Sequence, residues 1–336
     1  MIKVGIVGYG TIGKRVADAV LLQEDMELVG ITGRTYNYRL EIAAERGIAI
    51  YALDDPKKIE YNGVKPAGTI HDLLKKVDIV VDCSPKPCGT ENIEKLYKPA
   101  GVKALIQGGE KSTGAEVSFV AQCNYDECLN KDYIRVVSCN TTGMCRTLHA
   151  LNMAYGVKKA RATLIRRGGD PHAVTRGPIN AIVPSFELPS HHGPDVRTVL
   201  HDMEVFTTAV IVPTTIMHMH NMNVVLKKQP TTKQVIELFK KTQRVRVIKA
   251  VHKLGSTAEV MEMARDMGNK RGDMMDIIVW EEGIGLYDGE LFFPQGVHQE
   301  SDVVPENIDA IRAAMGFKDA NKSMKMTNKS LGLKGS

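Results

Sequence analysis

Gly8-Tyr9-Gly10-Thr11-Ile12-Gly13 follows an apolar run, Val4–Val7, and opens a helix-like stretch, Ile12–Leu22. A Gly-x-Gly-x-x-Gly motif between a strand and a helix leaves few folds open. The first glycine permits a tight turn, the second lets the backbone approach a pyrophosphate, and the third allows close helix–strand packing, with phosphate held on helix N–H groups. Gly8, Gly10 and Gly13 therefore read as a dinucleotide turn. The first half continues in kind: Glu27–Thr32, Asp78–Asp82, Lys103–Gln107 and Ile134–Ser138 are short apolar runs alternating with helix-like stretches such as Asn92–Tyr97. That is the pattern of a doubly wound parallel sheet covered on both faces, an α/β class.

Past residue 138 the texture changes. Lys159–Arg167, Thr207–Val212, Met217–Lys227 and Asp276–Phe293, the last broken by a turn at Tyr287-Asp288-Gly289-Glu290, predict a second α+β domain with a mostly antiparallel sheet. Helices are expected over Thr232–Thr242, Ser256–Met267 and Pro305–Met315. The last dozen residues are polar and poor in large apolar side chains, the composition of a frayed end. A long connection, from about Pro184 to Val205, carries His191-His192-Gly193-Pro194-Asp195. Long irregular connections in compact domains are often functional.

Composition excludes several classes. With 43% hydrophobic and 25% charged residues the chain is globular, and no apolar run approaches the roughly 20 residues that span a bilayer. The net charge of +5 is small, and Lys and Arg are interleaved with Asp and Glu, so neither nucleic acid nor a membrane is an expected partner. The start passes straight into a strand with no signal-peptide pattern, and a cytoplasmic location is expected. Six cysteines, at 83, 88, 123, 128, 139 and 145, lack the tight paired spacing of a zinc site, and no metal is expected.

Cys139 stands apart from the other thiols. It lies in Ser138-Cys139-Asn140-Thr141-Thr142-Gly143, where the run Ile134–Val137 gives way to a helix expected over about Thr141–Tyr155. A thiol there faces a helix dipole and free N–H groups that favour thiolate. Beside a dinucleotide, this suggests aldehyde oxidation through a thiohemiacetal and a thioester, which needs a base. His218 and His220, two apart on a strand, point to one face, and spacing does not choose between them. His71, His149, His201 and His252 read as surface residues. Arg166 and Arg167 end a strand, where one guanidinium is well placed to fork a phosphate.

An NAD-specific site places Asp or Glu at the end of the second strand, against the ribose 2′-hydroxyl. Here the segment is Thr32-Gly33-Arg34-Thr35. With no carboxylate in it, Arg34 and the Thr35 hydroxyl can accept a 2′-phosphate, and NADP is expected to bind better than NAD.

Five blocks in order carry a resemblance: Gly8–Ala17, Gln107-Gly108-Gly109-Glu110-Lys111, Ser138–Gly143, Leu188–Asp195 and His298-Gln299-Glu300-Ser301-Asp302. Together they strongly resemble the archaeal-type glyceraldehyde-3-phosphate dehydrogenases, from the first strand to about residue 328. The resemblance implies Cys139 as nucleophile and His218, rather than His220, as base. It implies Ser138, Asn140, Thr141, Arg166, His192 and Gly193 as substrate contacts, and Thr11, Ile12, Gly109, Arg167 and Gln299 as cofactor contacts. Triose phosphate and inorganic phosphate are the implied small-molecule partners, in glycolysis or gluconeogenesis, and the implied assembly is a homotetramer. The implied layout is a dinucleotide-binding domain over 1–138, a catalytic domain over 139–300, and a C-terminal helix within 301–336 that returns to the first domain. The bacterial and eukaryotic branch has Cys-Thr-Thr-Asn in place of Cys139-Asn140-Thr141-Thr142, so only the archaeal pattern is carried over. Two rivals remain at this level. One is another thiol-dependent dehydrogenase, of the aspartate-semialdehyde or N-acetylglutamyl-phosphate type. The other is a dinucleotide-sensing protein without turnover, which needs a recognition helix or basic stripe not found here.

Overall fold

The computed structural model describes residues 1–107, 109–170 and 177–334. Gly108 of the second resemblance block, Pro171 and the last two residues of the C-terminal region lie outside the described residues. The chain forms two compact units, Met1–Ser138 with Val304–Leu331, and Cys139–Val303 with the residues from Gly332 onward.

In the first unit, seven strands form one parallel sheet: β1 (Ile2–Val7), β2 (Met26–Gly33), β3 (Ile50–Ala52), β4 (Ile79–Asp82), β5 (Lys103–Gln107), β6 (Val117–Phe119) and β7 (Tyr133–Val136). Their order is β3-β2-β1-β4-β5-β7-β6, with every pairing parallel. The order reverses direction at β1, where doubly wound sheets open the crevice that takes ligands. Strands β1 and β4 are almost continuous runs of Val and Ile because helices cover both faces, which is why the sequence pattern was plain. Strands β3 and β6, three residues each, are too short to show a period.

Two helices from the far end of the chain complete this unit: Val304–Ala314, buried along its whole length, and Ala320–Leu331. The second corrects the expectation of a frayed end. Its polar residues face inward to polar partners: Ser323 and Thr327 donate to Asp309 Oδ1 at 2.6 and 2.7 Å. The buried Arg312 grips Asp25 through Nε and Nη2, both at 2.8 Å, and also donates to Gln23 and Thr327. A polar helix of this kind looks like tail when composition alone is read.

The second unit holds an eight-stranded mixed sheet: β8 (Val157–Arg167), β9 (Val183–Pro184), β10 (Val205–Val212), β11 (His218–Leu226), β12 (Val245–Ile248), β13 (Ile277–Trp280), β14 (Gly285–Tyr287) and β15 (Glu290–Val297). The order is β12-β13-β15-β11-β8-β10-β9, with β14 on β15. Pairs β12–β13 and β8–β10 are parallel and the rest antiparallel. The expected run Asp276–Phe293 resolves into three strands, and the turn between β14 and β15 has Asp288 and Gly289 both at positive φ, the pairing that a tight hairpin requires. The connection Pro184–Val205 contains a short helix, His192–Val196.

The helix Cys139–Tyr155 begins two residues earlier than expected, at the cysteine itself, and is buried continuously from Cys139 to Leu148. Added at Gly143, a Cβ would sit 2.8 Å from Val297 Cγ2, so this glycine lets the helix start lie over the end of β15. Strand register brings other site residues to the same end: His218 opens β11 opposite Val297, and Arg166 and Arg167 close β8 next to it.

Candidate active site

In the first unit, Gly8 at φ +85° makes the turn after β1, and its N–H donates to Thr32 Oγ1 of β2 at 3.0 Å. A Cβ at Gly13 would lie 2.0 Å from Gly8 O, so no other residue fits there. The buried Arg15 donates to Thr11 O at 2.8 Å and pins the loop from behind. The first helical hydrogen bond runs from Lys14 N to Gly10 O, which leaves the N–H groups of Thr11, Ile12 and Gly13 at the helix start, where phosphate is bound. A Cβ at Gly10 would meet nothing within 4 Å. These residues fit a dinucleotide pyrophosphate. Gly109 is exposed, close to the Lys86 side chain, in a segment held by Glu110, which accepts from Gly89 N and Thr90 Oγ1.

At the 2′ position the structure adds a partner that the segment Thr32–Thr35 did not show. Arg34 Nε lies 3.1 Å from Asp54 Oδ2. Asp54 follows β3, and the bond from Leu53 N to Gly33 O sets the two strand ends side by side. A carboxylate is present after all, supplied by the neighbouring strand end, and Thr35 is exposed beside it.

In the second unit, Cys139 is buried at the first position of its helix. The expected thiolate is not what the surroundings favour. Burial pushes the Cys139 thiol well above its ordinary range and the Asp302 carboxylate adds to this, outweighing Arg167, the Asn140 N–H and Arg166, which pull it down. Desolvation wins over the helix start because the whole first turn is packed away from water. Asp302 is in place because Arg146, also buried, donates to Asp302 O at 2.7 Å and to Met275 O at 2.9 Å.

Three neutral imidazoles surround this thiol's end of the sheet. Burial, then the repulsion a charged ring would meet from His220, Arg167, Arg166 and His192 in their protonated forms, holds His218 well below its ordinary value. Burial takes His220 down to about 3. His192 falls to about 2, through burial and then the neighbouring His191, Arg166 and His220. His218 Nδ1 accepts the Arg167 N–H at 2.9 Å, so its neutral ring carries its proton on Nε2. His192 lies against the exposed His191, with ring centroids 4.0 Å apart. Among the histidines read as surface residues, His149 is half-buried, and burial lowers it.

The remaining expected contacts fall into three groups. Asn140 Oδ1 is 2.8 Å from His220 Nε2, and its Nδ2 is 3.5 Å from His192 Nε2. Thr141 donates to Asp195 Oδ2 at 2.6 Å, and Gly193 N donates to Thr207 Oγ1 at 2.9 Å. A Cβ at Gly193 would meet Val205 O at 2.7 Å, so glycine alone lets the short helix sit on β10. The two arginines diverge as strand alternation requires. Arg167 is buried, donating to Gln299 Oε1 at 2.5 Å, Glu300 Oε1 at 2.8 Å, Thr215 O at 3.1 Å and Asp170. Arg166 is half-buried, with its buried Nε lacking a hydrogen-bond partner among the described residues. Ser138 is half-buried at the end of the first unit.

Thr207 and Gln295 of this neighbourhood escaped the sequence reading, as did Asp54 in the first unit, while Ser190, Asp195 and Asp302 stood in the resemblance blocks without a role. Gln295 did leave a signal, as a polar residue in the inward phase of β15 between Phe293 and Val297.

A glycine turn built for pyrophosphate and a buried thiol at a helix start among neutral imidazoles define a nicotinamide-dependent dehydrogenase of the cysteine type. Residues 138–282 match the family model described as the C-terminal domain of glyceraldehyde 3-phosphate dehydrogenase, and residues 2–118 match that of the dihydrodipicolinate reductase N-terminus. The chain is 51% identical over 335 residues to a glyceraldehyde-3-phosphate dehydrogenase of Methanococcoides burtonii, covering 99% of both chains. It is 51% identical over 334 residues to that of Pyrococcus furiosus, again covering 99% of both, and 48% to that of Methanothermus fervidus, covering 98% of both. The chain belongs to the glyceraldehyde-3-phosphate dehydrogenase family.

Proposed function

We propose that this protein oxidises D-glyceraldehyde 3-phosphate to 1,3-bisphosphoglycerate with NADP or NAD and inorganic phosphate, and runs the reverse reaction, through a thioester on Cys139. The observation that carries this is the placement of Cys139 at a buried helix start, with Asn140 following it and with Arg166 and Arg167 felt both at its thiol and at His218. The first unit serves as the dinucleotide-binding domain and the second as the catalytic domain. Thr11, Ile12, Gly109 and Gln299 serve as cofactor contacts, and Arg167 acts by holding Gln299. The nicotinamide, when bound, accepts the hydride.

Cys139 Sγ bonds to the aldehyde carbon, the carbonyl pair moves to oxygen, and the thiol proton ends on that oxygen as a thiohemiacetal. Because burial and Asp302 favour the protonated thiol, substrate binding brings this proton transfer about. His218 presents Nε2–H to the site and first donates to the aldehyde oxygen. To act as base when hydride leaves, the ring takes its other tautomer, with Nε2 bare and the Arg167 contact given up. The partnerless Arg166 Nε suits a phosphate oxygen, and Ser138, Thr141, His192 and Gly193 line the rest of the substrate site. Phosphate then attacks the thioester carbon and the thiolate leaves.

The protein works in the cytoplasm as a homotetramer; among the described residues no helix is long and apolar enough to cross a membrane. Ile179, Ile182, Phe186 and Leu188 stand exposed in one short segment, which supports a buried role between subunits. The test is a rate measurement with glyceraldehyde 3-phosphate, each nicotinamide cofactor, and phosphate present or absent. Phosphate-dependent turnover supports the reading. Turnover of aspartate semialdehyde with none of glyceraldehyde 3-phosphate overturns it.

A further inference from the structure

A chain of buried polar groups runs across the second unit beside Cys139, and its direction is fixed by backbone at one end. Thr207 Oγ1 lies 2.9 Å from Ser190 O, a carbonyl that can only accept, so the Thr207 hydroxyl donates there. Thr207 Oγ1 also accepts from Gly193 N–H. Ser190 Oγ, 2.8 Å from Thr207 Oγ1, must then donate to it and accept from His192 Nδ1 at 3.1 Å. His192 therefore carries its proton on Nδ1 and leaves Nε2 bare for the Asn140 amide NH2 at 3.5 Å. That turns Asn140 Oδ1 to His220 Nε2–H at 2.8 Å and leaves His220 Nδ1 bare, accepting from Gln295 Nε2 at 3.0 Å. Gln295 Oε1 accepts from the Thr147 hydroxyl at 2.9 Å. Every donor points the same way, and each assignment forces the next.

We propose that Gln295 is a positioning residue for the reaction at Cys139: by donating to His220 it fixes the tautomer of that ring, and through it the orientation of the Asn140 amide. Gln295 stands directly opposite His220 in the β15–β11 pairing, so the sheet register delivers the contact. All members of the chain are buried, which makes an unmatched donor or acceptor costly and the chain cooperative. The neutrality of His192 and His220 at working pH keeps one proton on each ring, as the chain requires. Asn140 immediately follows the nucleophile, and His192 engages only one of its two amide hydrogens. The other serves the oxygen that forms when Cys139 adds to an aldehyde. With the amide reversed, a carbonyl oxygen would face that charge.

Gln295→Glu tests the direction. With one proton shared between the introduced carboxyl group and His220, His220 keeps Nε2–H and Asn140 keeps its orientation. Once that proton is lost, the carboxylate accepts from His220 Nδ1, Nε2 becomes bare, and Asn140 must turn over. The charged groups nearby are Arg166, felt at His192, and Arg167, felt at the adjacent His218, and the titratable neighbours are His218, His192 and His191. We expect kcat of Gln295→Glu to fall roughly ten- to a hundredfold at alkaline pH and to recover as pH drops through one new ionisation, with KM and cofactor affinity little changed. Gln295→Met, which cannot accept from His220, should lose less and show no such recovery. A Gln295→Glu profile parallel to wild type overturns the proposal. Nitrogen-15 spectra of histidine-labelled wild type decide it independently of both variants: His220 with Nε2 protonated and Nδ1 bare supports the proposal, and the opposite tautomer removes it. The proposal rests on Cys139 as the reacting centre, but the spectra need no substrate, so its failure is separable from failure of the proposed reaction.

Discussion

Cys139 shows how far a side chain's chemistry depends on what is packed around it. Since burial and Asp302 hold the thiol protonated, the free enzyme should react with iodoacetamide more slowly at pH 7 than an exposed cysteine does, and the rate should climb steeply at alkaline pH. A rate already at its plateau at pH 7 would show a resting thiolate. Cys139→Ser should abolish turnover while cofactor titrations stay unchanged; turnover near wild type would remove the thiol from the mechanism. Arg34 makes the matching point for the cofactor. A 2′-phosphate must displace Asp54, and an exposed ion pair is worth about 0–1 kcal/mol, so Asp54→Asn should tighten NADP by up to roughly fivefold. Arg34→Ala should weaken NADP about tenfold and leave NAD almost unchanged. Equal losses for both cofactors on titration would take Arg34 away from the 2′-phosphate. The identities of Cys139 and Arg34 were legible in local sequence. Their electrostatic partners were not, because Asp302 and Asp54 approach through packing and strand order.

Strand β11 brings His218 and His220 to one buried face, as alternation foretold, yet alternation could not rank them. Their partners differ: His220 is held by Asn140 and Gln295, whereas among the described residues His218 is held only through Nδ1, by backbone, which favours the proposed His218 as base. We expect His218→Asn to lower turnover by roughly two to four orders of magnitude, the usual worth of a positioned acid–base group, with an equally stable fold. A larger kinetic loss in His220→Asn than in His218→Asn would reverse the assignment. The same burial has a consequence for stability. His192 and His220 have folded values of about 2 and 3 against 6.5 when exposed, so the unfolded chain binds protons that the folded one does not. Stability is therefore fully present above pH 6.5 and is lost as pH falls from there toward 3, at roughly 1 kcal/mol per histidine per pH unit. Denaturation midpoints flat between pH 7 and 5 would contradict neutral buried rings. Long elements such as β8, β11 and the helix Thr232–Lys241 were readable because they show many turns of one period. Strands β3 and β6 were not, and the last helix was hidden by polar residues whose partners, Asp309 and Arg312, lie on the preceding helix.

At the scale of the molecule, the segment with Ile179, Ile182, Phe186 and Leu188 exposes four large apolar side chains within ten residues. If the proposed assembly uses this segment, Phe186→Glu should shift the protein toward smaller species in analytical ultracentrifugation, and an unchanged sedimentation profile would place the subunit contacts elsewhere. The first unit has a different debt to distant sequence: its sheet is closed by Val304–Leu331, with Arg312 fastened to Asp25 across nearly the whole chain. A ribosome makes the glycine turn early but delivers those closing helices only after all of Cys139–Val303. Until then, β1 to β7 wait with one flank uncovered while the intervening residues emerge. The unit translated first is thus closed only after nearly all of the other has been made, and nascent chains halted before Val304 should emerge from the exit tunnel in need of a chaperone.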